Sequence, residues 1–345
     1  MIKWGIIGTG KIAYDVGFAI QAQASCQMVA VGSRKIENAE KYARRLKLTA
    51  YYDDYDRVLG RDDVDIVYIA TPNALHADLI EKALRQGKHV LCEKPMTLRA
   101  HRLRQLKELA TQRRLFLMEA MWTLFLPSVR RFLSDVKQVG NIRLIRGSMG
   151  FPLAKERCFR KDLGGGCIFD LGVYLVSLTY AVLGTPDQFY AQKISRRGDV
   201  ETSATISLQY GRTALADLLC SYDAHLENTF SVYGDKGALT LEAPFFRSAM
   251  LSFRKYGPVN ESTDAVRNPF DAFSVLKNAA SWKQRLYHRF HLGKRHKIVP
   301  FEANGYQYQI REVVKCLETN QIESAILPVE HSARVIGILD KLITV

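Results

Sequence analysis

The six residues Gly8-Thr9-Gly10-Lys11-Ile12-Ala13 limit most tightly what this 345-residue chain can fold into. A short apolar run over residues 3–8 leads into them, and helical spacing over residues 11–20 follows, with Ile12, Val16, Ala19 and Ile20 on one face. Strand, glycine turn and helix in that order form the context in which GxGxxA spacing cradles a dinucleotide. Gly8 permits the tight turn, Gly10 lets a pyrophosphate approach the backbone, and Ala13 allows close packing of helix on strand. The phosphates would meet open N–H groups at the helix start, beside Thr9, Lys11 and Ile12. Residues 28–32 then read as a second strand, as the motif requires.

The end of that second strand bears on cofactor choice. An acid placed there accepts from the ribose 2′-hydroxyl of NAD, whereas this chain has Gly32-Ser33-Arg34-Lys35. No carboxylate stands there to repel a 2′-phosphate. Ser33 can donate one hydrogen bond and Arg34 a planar pair of them, which suits phosphate. Ser33 can equally cap the helix that starts near Ile36, and the two roles can coexist. The expected cofactor is NADP, with NAD as the alternative.

The alternation continues: strand 64–70, turn Thr71-Pro72-Asn73, helix 74–86, strand 88–92, helix 97–112 and strand 115–119. β-Branched strands alternating with helices imply an α/β fold, here an N-terminal Rossmann unit with a doubly wound parallel sheet over residues 1–122. Thr71, Pro72 and Asn73 would line the nicotinamide side of its crevice. His76 would either reach the cofactor or cap its own helix. Glu93-Lys94-Pro95 closes strand 88–92, at the carboxyl end of the sheet where such folds hold ligands. Lys94 is then either a solvated lysine at a strand end or, with Glu93, part of the cofactor edge.

After Trp122 the pattern changes. A helix over residues 127–136 precedes extended runs at 142–151, 188–194, 202–210, 213–221, 228–233 and 238–242, with turn signals such as Tyr210-Gly211-Arg212-Thr213 and Gly234-Asp235-Lys236-Gly237. Residues 123–345 are thus expected to form a C-terminal α+β domain with a large, mostly antiparallel open sheet. One face of such a sheet packs on helices and the other needs cover. A homodimer or higher homo-oligomer joined through that face is therefore expected, and a monomeric mass by light scattering would overturn it. Within this region Gly164-Gly165-Gly166 lets the backbone approach another body. Asp170 and Tyr174 follow at i, i+4 spacing and share one face if a helix begins there. Spacing alone leaves two readings: a helix cap with a core aromatic, or a carboxylate and a phenol aimed at an interdomain cleft. Trp122 and Phe151 are candidates for an aromatic substrate wall, or plain core.

Composition narrows the remaining classes. With 47% hydrophobic residues the chain can fill two cores. No apolar run approaches the roughly 20 residues of a membrane span, and the N-terminus lacks a charged region with a cleavage site. A cytoplasmic location without membrane attachment is expected. The six cysteines show no CxxC spacing, so neither a metal site nor a disulfide framework is expected. The net charge of +14 is uneven: residues 272–301 hold no acid and seven cations, interleaved with Trp282, Tyr287 and Phe290. Such a stretch can serve nucleic acid or an anionic membrane. A solvated insertion or an oligomer contact is the commoner reading, and no nucleic-acid partner is expected.

Taken together, Gly8 to Ala13, Thr71-Pro72-Asn73, Glu93-Lys94-Pro95 and Gly164-Gly165-Gly166 through Asp170 and Tyr174 resemble the Gfo/Idh/MocA family of NAD(P)-dependent oxidoreductases. The segments Leu91 to Pro95, Leu115 to Thr123 and Asp170 to Tyr174 are similar to its dihydrodiol dehydrogenase and NADP-dependent xylose dehydrogenase branch, where tyrosine replaces the histidine many members carry at position 174. The resemblance implies hydride transfer between nicotinamide and a secondary alcohol, hemiacetal or carbonyl of a small sugar, polyol or cyclic trans-diol. It implies Lys94, Tyr174 and Asp170 as the catalytic group. An unperturbed tyrosine, with a pKa of about 10, is a poor base at neutral pH, and an adjacent ammonium lowers that value. Either Tyr174 tuned by Lys94, or Lys94 itself, would move the proton, while Asp170 orients sugar hydroxyls or the lysine. The alternative is a non-catalytic, NADP-responsive sugar-pathway regulator on the same fold.

Overall fold

Short runs of Val, Ile and Leu bounded by turn residues become six parallel strands. They are β1 (Ile2–Ile7), β2 (Cys26–Gly32), β3 (Ala50–Tyr52), β4 (Ile66–Ile69), β5 (His89–Cys92) and β6 (Leu117–Glu119). Their order, β3-β2-β1-β4-β5-β6, is that of a doubly wound sheet. The computed structural model describes residues 1–153, 155–256 and 294–344. Helices α1 (Lys11–Gln21), α2 (Ile36–Leu46), α3 (Tyr55–Leu59), α4 (His76–Arg85) and α5 (Ala100–Arg113) connect the strands. Strand β4 is buried at all four positions, as a strand covered on both faces must be. Strand β3 and helix α3 are additions to the expected alternation; at three and five residues they are too short to show a period. The sheet order reverses between β1 and β4, which opens a crevice at their carboxyl ends.

The second sheet has eight strands: β7 (Ile142–Gly150), β8 (Gln188–Ile194), β9 (Ser203–Tyr210), β10 (Ala214–Ser221), β11 (Phe230–Gly234), β12 (Gly237–Leu241), β13 (Met250–Lys255) and β14 (Lys294–Ile298). Their order is β14-β13-β12-β11-β7-β10-β9-β8. Two antiparallel meanders flank β7, which pairs parallel with β10 and antiparallel with β11. The sheet is therefore mostly antiparallel, as expected, with one parallel seam. Along β9, Ala204, Ile206, Leu208 and Tyr210 are buried, while Ser203, Thr205, Ser207 and Gln209 alternate with them on the open face. The same face carries exposed Leu215, Tyr190 and Ile194.

Helix α6 (Pro127–Asp135) falls where it was expected. Between β7 and β8, however, the chain is not merely extended: a wide π turn, Ile168–Gly172, runs into α7 (Val173–Leu183). By length and mean hydropathy, 1.7, the helical stretch Lys161–Leu183 could cross a membrane, contrary to the sequence reading. Since 67% of its most apolar window is buried inside the protein, it is the core helix beneath the second sheet. Helices α8 (Gln307–Glu318) and α9 (Val329–Thr344) return to the Rossmann unit. Helix α9 packs on both α5 and α7, and Ser332 Oγ donates to Glu119 Oε2 at 2.8 Å. The two sheets are thereby tied together behind the crevice. Of the basic stretch 272–301, residues 272–293 lie outside the described residues, and Lys294–Ile298 forms the terminal strand β14.

Candidate active site

The turn from β1 to α1 has the shape its glycines call for. Gly8 adopts φ +104°, and a Cβ there would stand 2.5 Å from the Ala70 carbonyl oxygen of β4's exit, so only glycine fits. A Cβ at Gly10 would meet nothing within 4 Å: the space over it is open. Helix α1 has no side-chain cap at Gly10, which leaves the N–H groups of Lys11 and Ile12 presented to that space. An open glycine and an uncapped helix start fit a pyrophosphate. Thr9 Oγ1 lies 3.1 Å from Ser33 Oγ, linking this turn to the end of β2. Arg34 is exposed there, with its guanidinium beside the Tyr55 hydroxyl.

A cleft of about 630 Å³ runs from Gly10 to the second sheet. Lys94 sits at its floor, just beyond β5, and its bond to Pro95 is cis. Its ammonium donates to the Asp170 carbonyl oxygen at 2.7 Å and to Asp170 Oδ1 at 2.6 Å, and lies 4.7 Å from the centre of the Tyr174 ring. The π turn carries Asp170 and the first turn of α7 carries Tyr174, so both reach the lysine from one face. Tyr222, just past β10, shares its hydroxyl proton between Asp170 Oδ2 at 3.1 Å and the Gly166 carbonyl at 2.9 Å.

Protonation follows from these contacts. Burial alone would lower Lys94, but Asp170 and Tyr174 outweigh it and hold the ammonium above its ordinary pKa. Burial would likewise raise Asp170, and Lys94 outweighs it, keeping the carboxyl below its usual range. Tyr174 differs from the expectation. Burial pushes its phenol above 10 and Lys94 only partly offsets this, so the phenol is protonated at neutral pH. Glu93 has its pKa pushed up to about 7 by burial; Tyr68 Oη donates to its Oε1 at 2.5 Å.

Three expected site residues take other positions. His76 is fully buried, with Nδ1 2.9 Å from the Pro95 carbonyl and Nε2 3.0 Å from that of Thr71. Both neighbours are acceptors and burial lowers the ring's pKa, so the neutral imidazole donates to one of them, and the ring sits between the two turns rather than lining the cleft. Trp122 lies one layer behind the cleft, where Nε1 donates to the Tyr174 hydroxyl at 3.4 Å and the indole packs on Tyr306. Phe151 packs edge-on against Phe246, which in turn touches Tyr174. The aromatic side of the cleft is instead formed by Tyr174, Tyr222 and Tyr306. Thr71, Pro72 and Asn73 do line the cleft, and Asn73 Nδ2 donates across it to the Gly164 carbonyl at 2.9 Å. Tyr222, Tyr306, Lys155 and Arg157 escaped the sequence reading, because each comes from a segment with no fixed spacing to the glycine or lysine motifs. The one available signal was Tyr222, an aromatic placed directly after an alternating strand.

A dinucleotide cradle facing a half-buried lysine and carboxylate and a buried phenol across one cleft suits a nicotinamide-dependent oxidoreductase. Residues 2–121 match the family model described as "Oxidoreductase family, NAD-binding Rossmann fold", and residues 131–240 match the GFO/IDH/MocA C-terminal domain. The chain belongs to the GFO/IDH/MocA oxidoreductase family. Among its relatives, the trans-1,2-dihydrobenzene-1,2-diol dehydrogenase of Xenopus tropicalis is 28% identical over 98% of this chain and 96% of its own. That of Xenopus laevis is 32% identical, covering 69% of this chain and 74% of its own. Among solved structures, a 3-ketoreductase from Actinomadura kijaniata in complex with NADP and TDP-benzene superposes with a TM-score of 0.82 at 25% identity, over 99% of this chain and 97% of its own. An aldose-aldose oxidoreductase from Caulobacter crescentus shares the fold, with a TM-score of 0.80 at 21% identity over 99% and 96% of the two chains.

Proposed function

We propose that this oxidoreductase uses NADP to move a hydride to or from a secondary alcohol, hemiacetal or carbonyl of a sugar, polyol or cyclic trans-diol. The observation that carries this reading is Lys94, held by two bonds to Asp170 and set over the Tyr174 ring at the carboxyl end of β5. When bound, nicotinamide accepts or supplies the hydride. The preference for NADP rests on Ser33 and Arg34, with no acid beside them at the end of β2.

Lys94 is too firmly protonated to act as the base, so its part is that of a fixed cation. Tyr174 carries the mobile proton. Its buried, protonated phenol is suited to donate to a carbonyl oxygen as an alkoxide develops, and the adjacent ammonium stabilises the phenolate left behind. In the oxidative direction the same phenolate accepts the hydroxyl proton. Asp170 positions Lys94 and, through the part of its carboxylate open to the cleft, binds substrate hydroxyls. Residues 1–122 hold the cofactor. Residues 123–345 hold the substrate and, through the open sheet face, a second copy or more of the chain. Six free cysteines suit a reducing, cytoplasmic setting. A purely regulatory role is disfavoured, because Lys94, Asp170 and Tyr174 are all present and mutually engaged.

The test is Lys94→Ala, assayed by nicotinamide absorbance against aldoses, polyols and trans-dihydrodiols. Turnover is expected to vanish while NADPH binding, followed by fluorescence, is retained. Undiminished turnover in that variant would remove the mechanism.

A further inference from the structure

Gly166 stands where a helix takes its N-terminal cap, directly before the helical stretch from Cys167 that carries Asp170 and Tyr174. A glycine has no side chain to satisfy the open N–H groups of that first turn. Glu201, in the loop that enters β9, does so instead: its carbonyl oxygen accepts from the Cys167 N–H and its Oε1 from the Ile168 N–H, both at 3.0 Å. The carboxyl can reach in only past a glycine. Gly166 adopts φ +113°, and a Cβ there would overlap Glu201 Oε1. The next residue of the loop, Thr202, accepts from the Tyr222 N–H at 2.7 Å, and the Tyr222 hydroxyl in turn donates to the Gly166 carbonyl and Asp170 Oδ2. One loop of the second sheet thus fixes both the backbone before Asp170 and the phenol on its carboxylate. Glu201 itself is 8% exposed. Burial raises its pKa, and the N–H donors and Lys193 only partly offset this, so the fold bears a cost to keep a carboxyl there.

We propose that Glu201 is a positioning residue for the reaction: by anchoring the first turn before Asp170 it brings the Asp170 carbonyl and carboxylate together onto the Lys94 ammonium. The lysine bonds the backbone oxygen of Asp170 as well as Oδ1, so its setting depends on where the turn lies and not only on a side chain that can swing. Removing the carboxyl leaves the Ile168 N–H buried without its acceptor, which the turn can relieve only by moving, and Asp170 moves with it. Burial pulls the Lys94 pKa down, against Asp170, Tyr174 and Glu93, which hold it up. With Asp170 drawn away the lysine is neutral more of the time. The effect on turnover rests on the part given to Lys94 above; the effect on the lysine does not.

The experiment is acetylation of the cofactor-free full chain by acetic anhydride at about pH 9, where only neutral amines react, with Lys94 followed by peptide mass spectrometry against exposed lysines. Glu201→Ala, and Glu201→Asp with its shorter reach, should each raise the Lys94 rate about tenfold or more, the consequence of losing roughly one pKa unit of support. Glu201→Gln keeps an acceptor oxygen at the same reach and should stay near the wild-type rate. Turnover of the aldose, polyol and trans-dihydrodiol panel with NADP+, per NADPH-binding site, should fall about tenfold or more in the alanine and aspartate variants and largely recover in the glutamine one. A merely structural contribution would lower the folded fraction and leave Lys94 of the folded protein as unreactive as before. The proposal is overturned if Lys94 reacts at the wild-type rate in both the alanine and aspartate variants, if glutamine frees it as fully as alanine, or if turnover is untouched while Lys94 is freed. If Glu201→Ala does not fold, Glu201→Asp decides in its place. A panel that leaves nicotinamide absorbance unchanged in the wild type would count against the redox reading, while the lysine comparison would still decide this one.

Discussion

Glu93→Gln isolates the energetic consequence of placing a carboxyl beside Lys94 in a buried crevice. Burial raises the Glu93 pKa from 4.5 to about 7 in the folded protein. Between those two values the folded chain binds a proton that the unfolded chain has lost, so stability falls as pH rises through this window. Below 4.5 the group contributes nothing to the slope, and above about 7 the loss is complete. A displacement of about two and a half pH units, at 1.36 kcal/mol per unit, corresponds to roughly 3 kcal/mol. Glutamine keeps the shape and cannot ionise. Its effect should therefore shift by roughly 3 kcal/mol toward stabilising between pH 4.5 and pH 8, whatever constant cost comes from the altered bond to Tyr68. Urea unfolding of the cofactor-free protein across that range, wild type against variant, measures the difference directly. Carboxyls remote from Glu93 cancel in the comparison, whereas Glu119, whose charge helps raise Glu93, is part of the measured effect. Parallel stability curves would show that Glu93 ionises normally in the fold and would refute the reasoning.

Tyr174→Phe should lower turnover by about 10² to 10⁴ in both directions. In the wild type, reduction should be flat near neutrality and decline only above pH 10, while oxidation climbs with pH; a Phe variant with the same profile would exclude Tyr174 as the proton carrier. Arg34→Ala should weaken NADP(H) binding about tenfold or more, the range for bonds to a charged group, and NAD(H) hardly at all. Equal losses for the two cofactors, by fluorescence titration, would contradict the 2′-phosphate role. Gly8→Ala forces a side chain onto φ +104° and into the Ala70 carbonyl, and should cost about 3 kcal/mol in urea unfolding. A cost below about 0.5 kcal/mol would mean the turn can relax.

Much of this protein was legible in the sequence because much of it is local. The glycine turn, the alternation of strands and helices and the meander turns are written in spacings of a few residues, which set backbone torsion and burial period. Lys94 was legible for the same reason, as the residue ending a buried strand at a ligand-binding edge. The branch of the family was visible in Asp170 and Tyr174. What tertiary structure decided were the quantities that depend on groups arriving from far along the chain. Lys94 and Asp170 are 76 residues apart, and their contact, with Tyr174 beside it, holds the ammonium above its ordinary pKa against the pull of burial. The same desolvated setting raises the Tyr174 phenol, where the adjacent ammonium by itself argued for lowering it. His76 moved from the cofactor to the backbone of two turns, and Trp122 from the substrate wall to the support behind Tyr174. Lys155 and Arg157 line the same cleft, although nothing in their spacing ties them to its motifs. Spacing along a chain encodes which backbone shapes form. The charge state of a side chain is set through space, by the distance and burial of whatever the fold places beside it.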